Sequence, residues 1–189
     1  MGNYLTMQVS DKENFCQNIY ANYIVQSSNY LREYSQCLAK VGKKELPVAC
    51  YTNFRDALFH FRKMAKSVEE HEILQQAFAV KEHLGRAKTD ARISVLFYYV
   101  SVANRLLDDA TVSDDVKPQI RKCLHGMNNV IMSNRLDGMM MSELPIEKTS
   151  EEEVLSIVQE FLDLMQSSCI NQFVSLTTKD SSDIMNMQY

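Results

Sequence analysis

The stretch EEHEILQQAFAVKEHLGRAKTDA, residues 69–91, decides the fold. Its apolar residues recur at alternating spacings of three and four positions, so one face of a helix stays apolar and can pack against neighbours. These residues are Ile73, Ala77, Val80, Leu84, Ala87 and Ala91. The pattern predicts a helix that begins near Glu69 and continues to Asp109 through the apolar run 93–107. Gly85 is a position where this helix could kink, since glycine is a weak helix former.

The segment before this stretch predicts two helices. Ser10 and Glu13 have the spacing of a capping box, in which two side chains satisfy free backbone N–H groups at a helix start. The first helix is therefore predicted from about Asp11 to Val41. Its predicted apolar residues are Ile19, Tyr23, Leu31, Leu38 and Val41. Pro47 suits the first turn of a second helix. The predicted inward residues of that helix are Phe54, Ala57, Leu58, Phe61, Ala65 and Val68.

The segment after the stretch predicts two further helices. The first of them spans about residues 114–136. The residues MMSELPIEKTS, 140–150, have the composition of a linker. Ser150 and Glu153 then repeat the capping-box spacing, which predicts a last helix over about residues 151–173.

Length and composition agree with a helical domain. The chain has 189 residues, 46% of them hydrophobic, but only five glycines, three prolines and no tryptophan. Such a chain can fill one core and lacks the turn residues that a many-stranded sheet needs. The prediction is an all-α fold, an antiparallel bundle of about five helices, with one domain over residues 1–180 and a flexible tail over 181–189. The alternative is a bundle of four with the last helix docked on a partner.

Charge and cysteine usage narrow the function classes. A formal net charge of −4 gives no overall basic field for coating nucleic acid or a membrane surface. The five cysteines are scattered and show neither a disulfide framework nor paired ligand spacing for zinc. The opening residues do not resemble a signal peptide, and no apolar run is long enough for a bilayer. We therefore expect a cytoplasmic protein without a metal, a cofactor or a membrane partner.

One helix carries residues that suit chemistry. Within YTNFRDALFHFRKMAKS, residues 51–67, the string RDALFH places Arg55, Asp56 and His60 on an otherwise amphipathic helix. An arginine, a polar residue and a histidine at this spacing resemble the signature of the HEPN superfamily, small α-helical domains that include metal-independent endoribonucleases of bacterial toxin and antiphage systems. The chain contains no phosphate-loop, dinucleotide-binding, zincin or serine-hydrolase motif.

The resemblance implies a mechanism for RNA cleavage. The 2′-hydroxyl would attack its own phosphate, His60 would move protons, and Arg55 would stabilise the developing negative charge. Asp56 would orient His60, because residues four apart are neighbours on a helix. Arg55 and His60 lie on opposite flanks of one helix, and a homodimer could bring them together, because a two-fold axis presents each flank to the other copy. Phe59 would then be covered by the second copy.

A second polar cluster, KEHLGRAKTD, lies on the next predicted helix. Antiparallel packing would put Arg55 opposite about His83. The cluster supports a functional interpretation, in which its side chains complete a pocket beside Arg55 and His60, and a structural one. The residues concerned are Glu82, His83 and Arg86.

In the structural interpretation, Arg55 pairs with Glu82, and Asp56 pairs with Arg86, as ion pairs that fix the register of two helices. Two hypotheses result. The first is a toxin or antiphage endoribonuclease that binds RNA, works as a homodimer and can be masked by an antitoxin or another protein. The second is a non-catalytic interaction or scaffold subunit of a bacterial complex.

Overall fold

The computed structural model describes residues 9–43, 45–139 and 151–168. The linker 140–150 with Ser150, the predicted helix end at 173 and the tail 181–189 lie outside the described residues. The described part is helical and contains no strand. It folds as an all-α helical bundle, as predicted.

The helices follow the predicted order. The first helix comprises α1 (Val9–Ile19), a π-helical segment (Tyr20–Val25) and α2 (Gln26–Lys40) without interruption. The others are α3 (Val48–Lys66), α4 (Glu70–Asp108), α5 (Lys117–Met139) and α6 (Glu151–Ser167). Counted with the first helix as one, the described residues form five helices. None of these helices is both long and apolar enough to cross a membrane.

Several local predictions need correction. Three residues that the sequence predicts to face inward on the second helix are exposed: Leu58, Ala65 and Val68. Pro47 is the residue before α3 and has extended backbone (φ −53°, ψ 144°), so it does not lie in the first turn. Ser10, which the sequence predicts to cap the start of the first helix, is instead the second residue of α1. Tyr23 is exposed and Ile24 is buried, because the π-helical segment turns the following residues round the helix.

The described residues fall into two compact units. One lies within Met1–Glu33 and Leu46–Ala91, and the other within Tyr34–Glu45 and Arg92–Tyr189. The boundaries along the chain fall inside α2, between α2 and α3, and inside α4.

In the first unit, α4 packs beside both the first helix and α3. Lys81 Nζ lies 4.5 Å from the Tyr23 ring centroid, and Lys88 Nζ lies 5.6 Å from that of Tyr30. From the first contact to the second, the residue numbers of the lysine and of the tyrosine both rise by seven, so the two helices run parallel. The core of the unit contains Ile19, Ile24, Ala57, Met64, Ile73, Ala77, Val80 and Leu84.

α3 runs antiparallel to α1. Lys12 Nζ donates hydrogen bonds to the carbonyl oxygens of Ala65 at 2.8 Å and Ser67 at 2.7 Å. Further along α1, the Tyr20 ring lies 5.9 Å from that of Phe61. The ammonium group thus satisfies carbonyls at the C-terminus of α3, where the helix dipole favours a cation.

The buried face of α4 in this unit repeats every seven residues. Ile73, Val80 and Ala87 form one row and Ala77, Leu84 and Ala91 form the other, and all six are buried. Two apolar rows at alternating spacings of three and four are the pattern of coiled-coil packing. The apolar face predicted from the sequence is confirmed.

The second unit is held by buried polar contacts as well as apolar ones. Arg92 is only 2% exposed, and its Nη1 lies 3.4 Å from Oε1 of Glu151, the first residue of α6. The Tyr34 hydroxyl donates a hydrogen bond to the other carboxylate oxygen. Burial, followed by the Glu151 charge, raises the pKa of Tyr34 far above its ordinary value, so the hydroxyl keeps its proton. Sequence reasoning missed Arg92, because a charged residue beside an apolar run usually faces solvent.

Removing one charge of this buried pair should be costly. We expect Arg92→Ala to lower the free energy of unfolding by about 3–5 kcal/mol, since Glu151 stays largely buried and loses this cation. The double variant Arg92→Met/Glu151→Gln should be nearly as stable as wild type. It buries no unpaired charge, and the amide oxygen at position 151 still accepts the hydrogen bond from the Tyr34 hydroxyl. Urea unfolding followed by circular dichroism measures both.

Arg86→Ala is the matched control. Its ion pair with Glu82 is exposed on both sides, so it should cost about 0.5 kcal/mol or less. A double variant no more stable than Arg92→Ala would show that the buried pair does not account for the loss.

Candidate functional site

Five polar side chains meet between α3 and α4. Nδ1 of His60 lies 2.8 Å from Oε1 of Gln76, and Nδ1 of His83 lies 3.2 Å from Oδ1 of Asn53. Asn53 Nδ2 donates to Oδ2 of Asp90 at 3.2 Å. The two imidazole rings stack, with centroids 5.2 Å apart and planes 17° apart. We call these five residues the polar ladder.

The spacing of the polar ladder follows from the heptad pattern of α4. Gln76, His83 and Asp90 are seven residues apart, each directly before a buried alanine or leucine of one apolar row. On α3, Asn53 and His60 are also seven apart. Because residues seven apart share a flank of a helix, two antiparallel helices bring these two flanks together.

The contacts assign the hydrogens. An ionised carboxylate only accepts hydrogen bonds, so Asp90 orients the Asn53 amide with its NH₂ group toward the carboxylate. The Asn53 oxygen then faces His83, and an amide oxygen also only accepts. His83 therefore donates through Nδ1 to the Asn53 oxygen. Nδ1 of His60 is hydrogen-bonded to the Gln76 amide.

Burial raises the pKa of two groups at the Asn53–Asp90 end of the polar ladder, the Asp90 carboxyl and the Cys50 thiol. Burial raises the pKa of Asp90 above the ordinary value for aspartate, although the hydrogen bond from Asn53 acts in the opposite direction. Burial and the Asp90 charge raise the pKa of Cys50 to about 12. Since the thiolate is the reactive form, Cys50 is unsuited to act as a nucleophile.

The predicted interhelical ion pairs Arg55–Glu82 and Asp56–Arg86 are wrong. Arg55 pairs instead with its neighbour Asp56, with Nη2 2.9 Å from Oδ1, and Arg86 pairs with Glu82 at 3.2 Å within α4. The reason is register: Asn53, not Arg55, lies opposite His83, so the polar ladder occupies the facing positions. The Arg55 side chain is 74% exposed.

The predicted site residues are thus divided between two places. The structure brings His60 and His83 together, whereas in the described part of the chain no contact joins Arg55 to His60. Phe59 points outward as predicted and is 53% exposed, with Lys63 Nζ 4.5 Å from its ring centroid.

Asn53 and Gln76 were missed as members of the cluster. The signal that could have found them is the repeat of seven, which links Asn53 to His60 and Gln76 to His83. Amides carry no charge and fit no catalytic motif, so a search for reactive residues passes over them.

An open cavity of about 500 Å³ lies at the turn between α3 and α4. Gln76 belongs both to this cavity and to the polar ladder. The other lining residues are Lys63, Lys66, Ser67, Val68, Glu72 and Gln75. Over the residues that the structure describes, no group of three or more histidine, cysteine, aspartate or glutamate side chains is arranged to hold a metal ion.

Comparisons with protein-family models, curated proteins and solved structures gave no match to this chain. The resemblance to the HEPN superfamily remains a prediction based on the motif at Arg55, Asp56 and His60.

Asp90→Asn tests the electrostatics of the polar ladder. Asp90 has a raised pKa in the folded protein, so the folded state binds its proton more tightly than the unfolded state does. Stability is therefore lost as pH rises above the ordinary aspartate pKa and through the folded one. The substituted amide would keep an oxygen that accepts from Asn53 but would carry no charge. We expect the stability of the variant relative to wild type to improve between about pH 3 and pH 7, measured by urea unfolding.

Asp109→Asn is a control for which the pH dependence of stability should have the opposite sign. Hydrogen bonds from the Thr111 hydroxyl and backbone N–H lower the pKa of Asp109. Its contribution to stability is present above the ordinary aspartate pKa and lost as pH falls through the lowered one. This variant should therefore lose stability relative to wild type as pH rises towards the ordinary aspartate pKa, and it should show no further change above that pKa. Parallel pH trends in the two variants would contradict the assignment.

Proposed function

We propose that the chain is a non-catalytic helical interaction subunit. This proposal rests on the contacts that His60 and His83 make. Nδ1 of each ring is hydrogen-bonded to an amide on the opposite helix, and the rings stack on each other between α3 and α4. Hydrogen bonds between partly buried polar groups on facing helices fix the register of the two helices.

The position of Arg55 supports the same proposal. An arginine that stabilises the negative charge on an RNA phosphate has to point at the same atoms on which the His60 imidazole acts. Arg55 points into solvent and is held by Asp56 through both Nε and Nη2. An exposed arginine on a rigid helix is well placed to contact another macromolecule.

The second candidate function is the metal-independent endoribonuclease. The stacked pair of His60 and His83 favours it, because two imidazoles 5.2 Å apart can supply the base and the acid for attack by a ribose 2′-hydroxyl. The lysines of the neighbouring cavity could bind RNA phosphates. In this function Arg55 would act from a second copy of the chain.

RNA cleavage in EDTA separates the two functions. The interaction proposal expects no cleavage by wild type. It also expects His60→Ala to lower the free energy of unfolding by about 1–2 kcal/mol, because Gln76 loses its hydrogen-bond partner and His83 loses its stacked ring. The melting temperature should then fall by about 2–8 °C.

His71→Ala is the matched control, since His71 is exposed at the start of α4 and should leave the melting temperature unchanged. Cleavage by wild type that a folded His60→Ala variant has lost would replace the interaction proposal with the endoribonuclease.

A further inference from the structure

α3 has a second regular face that the core does not use. Its residues follow spacings of three and four, as the buried face of α4 does, but they point outward. They are Val48, Tyr51, Arg55, Leu58, Arg62 and Ala65, which we call the α3 stripe. Sequence reasoning had counted Leu58 and Ala65 among the inward residues of this helix.

The α3 stripe is open along its length. Val48 is 78% exposed, Tyr51 52% and Leu58 42%, and the Arg55 side chain is 74% exposed. Arg62 and Ala65 are exposed as well. At 100° per residue the six positions cover about 100° of the helix surface, and from Val48 to Ala65 they extend about 26 Å. This is the width and length of a contact with one helix of about five turns.

The charge of α3 indicates what that helix carries. α3 has four basic residues and one acidic residue, although the whole chain has a net charge of −4. The basic residues are Arg55, Arg62, Lys63 and Lys66, and the acid, Asp56, is already paired with Arg55. Arg62 has no ion-pair partner within the described residues. Arginine stems can lie on apolar surface while their guanidinium groups reach carboxylates at its edge.

We infer that the α3 stripe is a docking surface for an acidic amphipathic helix of a partner protein. This inference rests on the proposed function and names the partner's chemistry. The apolar residues Val48, Tyr51, Leu58 and Ala65 contact the apolar face of the partner helix, and Arg55 and Arg62 pair with its Asp or Glu residues.

Charge distinguishes this occupant from two others. A second copy of α3 would bring two basic helices together, and like charges oppose that contact. RNA would satisfy the two arginines but would leave the row of four apolar side chains without an apolar surface to cover. Both occupants are outcomes of the experiment below.

The experiment is a selection of displayed helical peptides of about 20 residues against the full chain. The peptides carry fixed leucines at heptad core positions and random residues at the flanking positions. We expect the selected sequences to be rich in Asp and Glu at the flanks. A selected peptide, labelled and measured by fluorescence anisotropy, should bind the Arg55→Glu/Arg62→Glu variant about tenfold more weakly or worse.

Two variants make the result specific. Arg32→Glu/Arg121→Glu changes the net charge by the same amount at exposed positions on α2 and α5, and it should leave the affinity within about twofold. Leu58→Ser keeps every charge and removes an exposed apolar contact, so it should weaken binding without affecting the core.

Several results would overturn the inference. Selected peptides without acidic flanks, or no selected peptide at all, would reject an acidic helix, while the proposed interaction function could still act through another surface. Loss of a dimer in Arg55→Glu/Arg62→Glu, measured by light scattering, would assign the stripe to a second copy. Binding of a labelled RNA oligonucleotide, lost in the same variant, would assign it to RNA. Failure of the proposed function is distinguishable, because it appears as His60-dependent RNA cleavage.

Discussion

The seven-residue register of α4 is the constraint on which the first unit depends. Two buried rows on α4 fix which flank faces each neighbour. One flank carries Lys81 and Lys88 against tyrosines of the parallel first helix. The other carries Gln76, His83 and Asp90 against antiparallel α3. A shift of one residue would rotate α4 by about 100° and break both sets of contacts at once.

Polar groups add specificity to this apolar core. The apolar rows contain several alanines, and small side chains of this kind permit neighbouring registers. The polar ladder permits far fewer, because each of its hydrogen bonds needs a particular donor opposite a particular acceptor. In the second unit, the position of the start of α6 is restricted in the same way by the contacts of Glu151 with Arg92 and Tyr34. Polar contacts between the helices thus determine their alignment, and hydrophobic burial stabilises the packing.

The sequence predicts helices better than it predicts their facing residues. Apolar spacing placed the described helices within a few residues, because local preferences determine them. The register of α3 on α4 was two residues off, since it depends on which amide meets which imidazole across the interface. Arg55 and Asp56 looked like interhelical partners only in the shifted register. Arg92 could not be predicted as buried, because its partner Glu151 lies far away along the chain.

The π-helical segment Tyr20–Val25 bears on how this chain tolerates changes in length. Ile19 and Ile24 are both buried in the same core, yet they are five residues apart. In a regular α-helix that separation would point them about 140° apart. The wider turn absorbs one extra residue and restores the phase of the apolar face beyond it. A relative lacking one residue here could keep the same core with a plain α-helix, so a single-residue gap in this segment would be compatible with an unchanged fold.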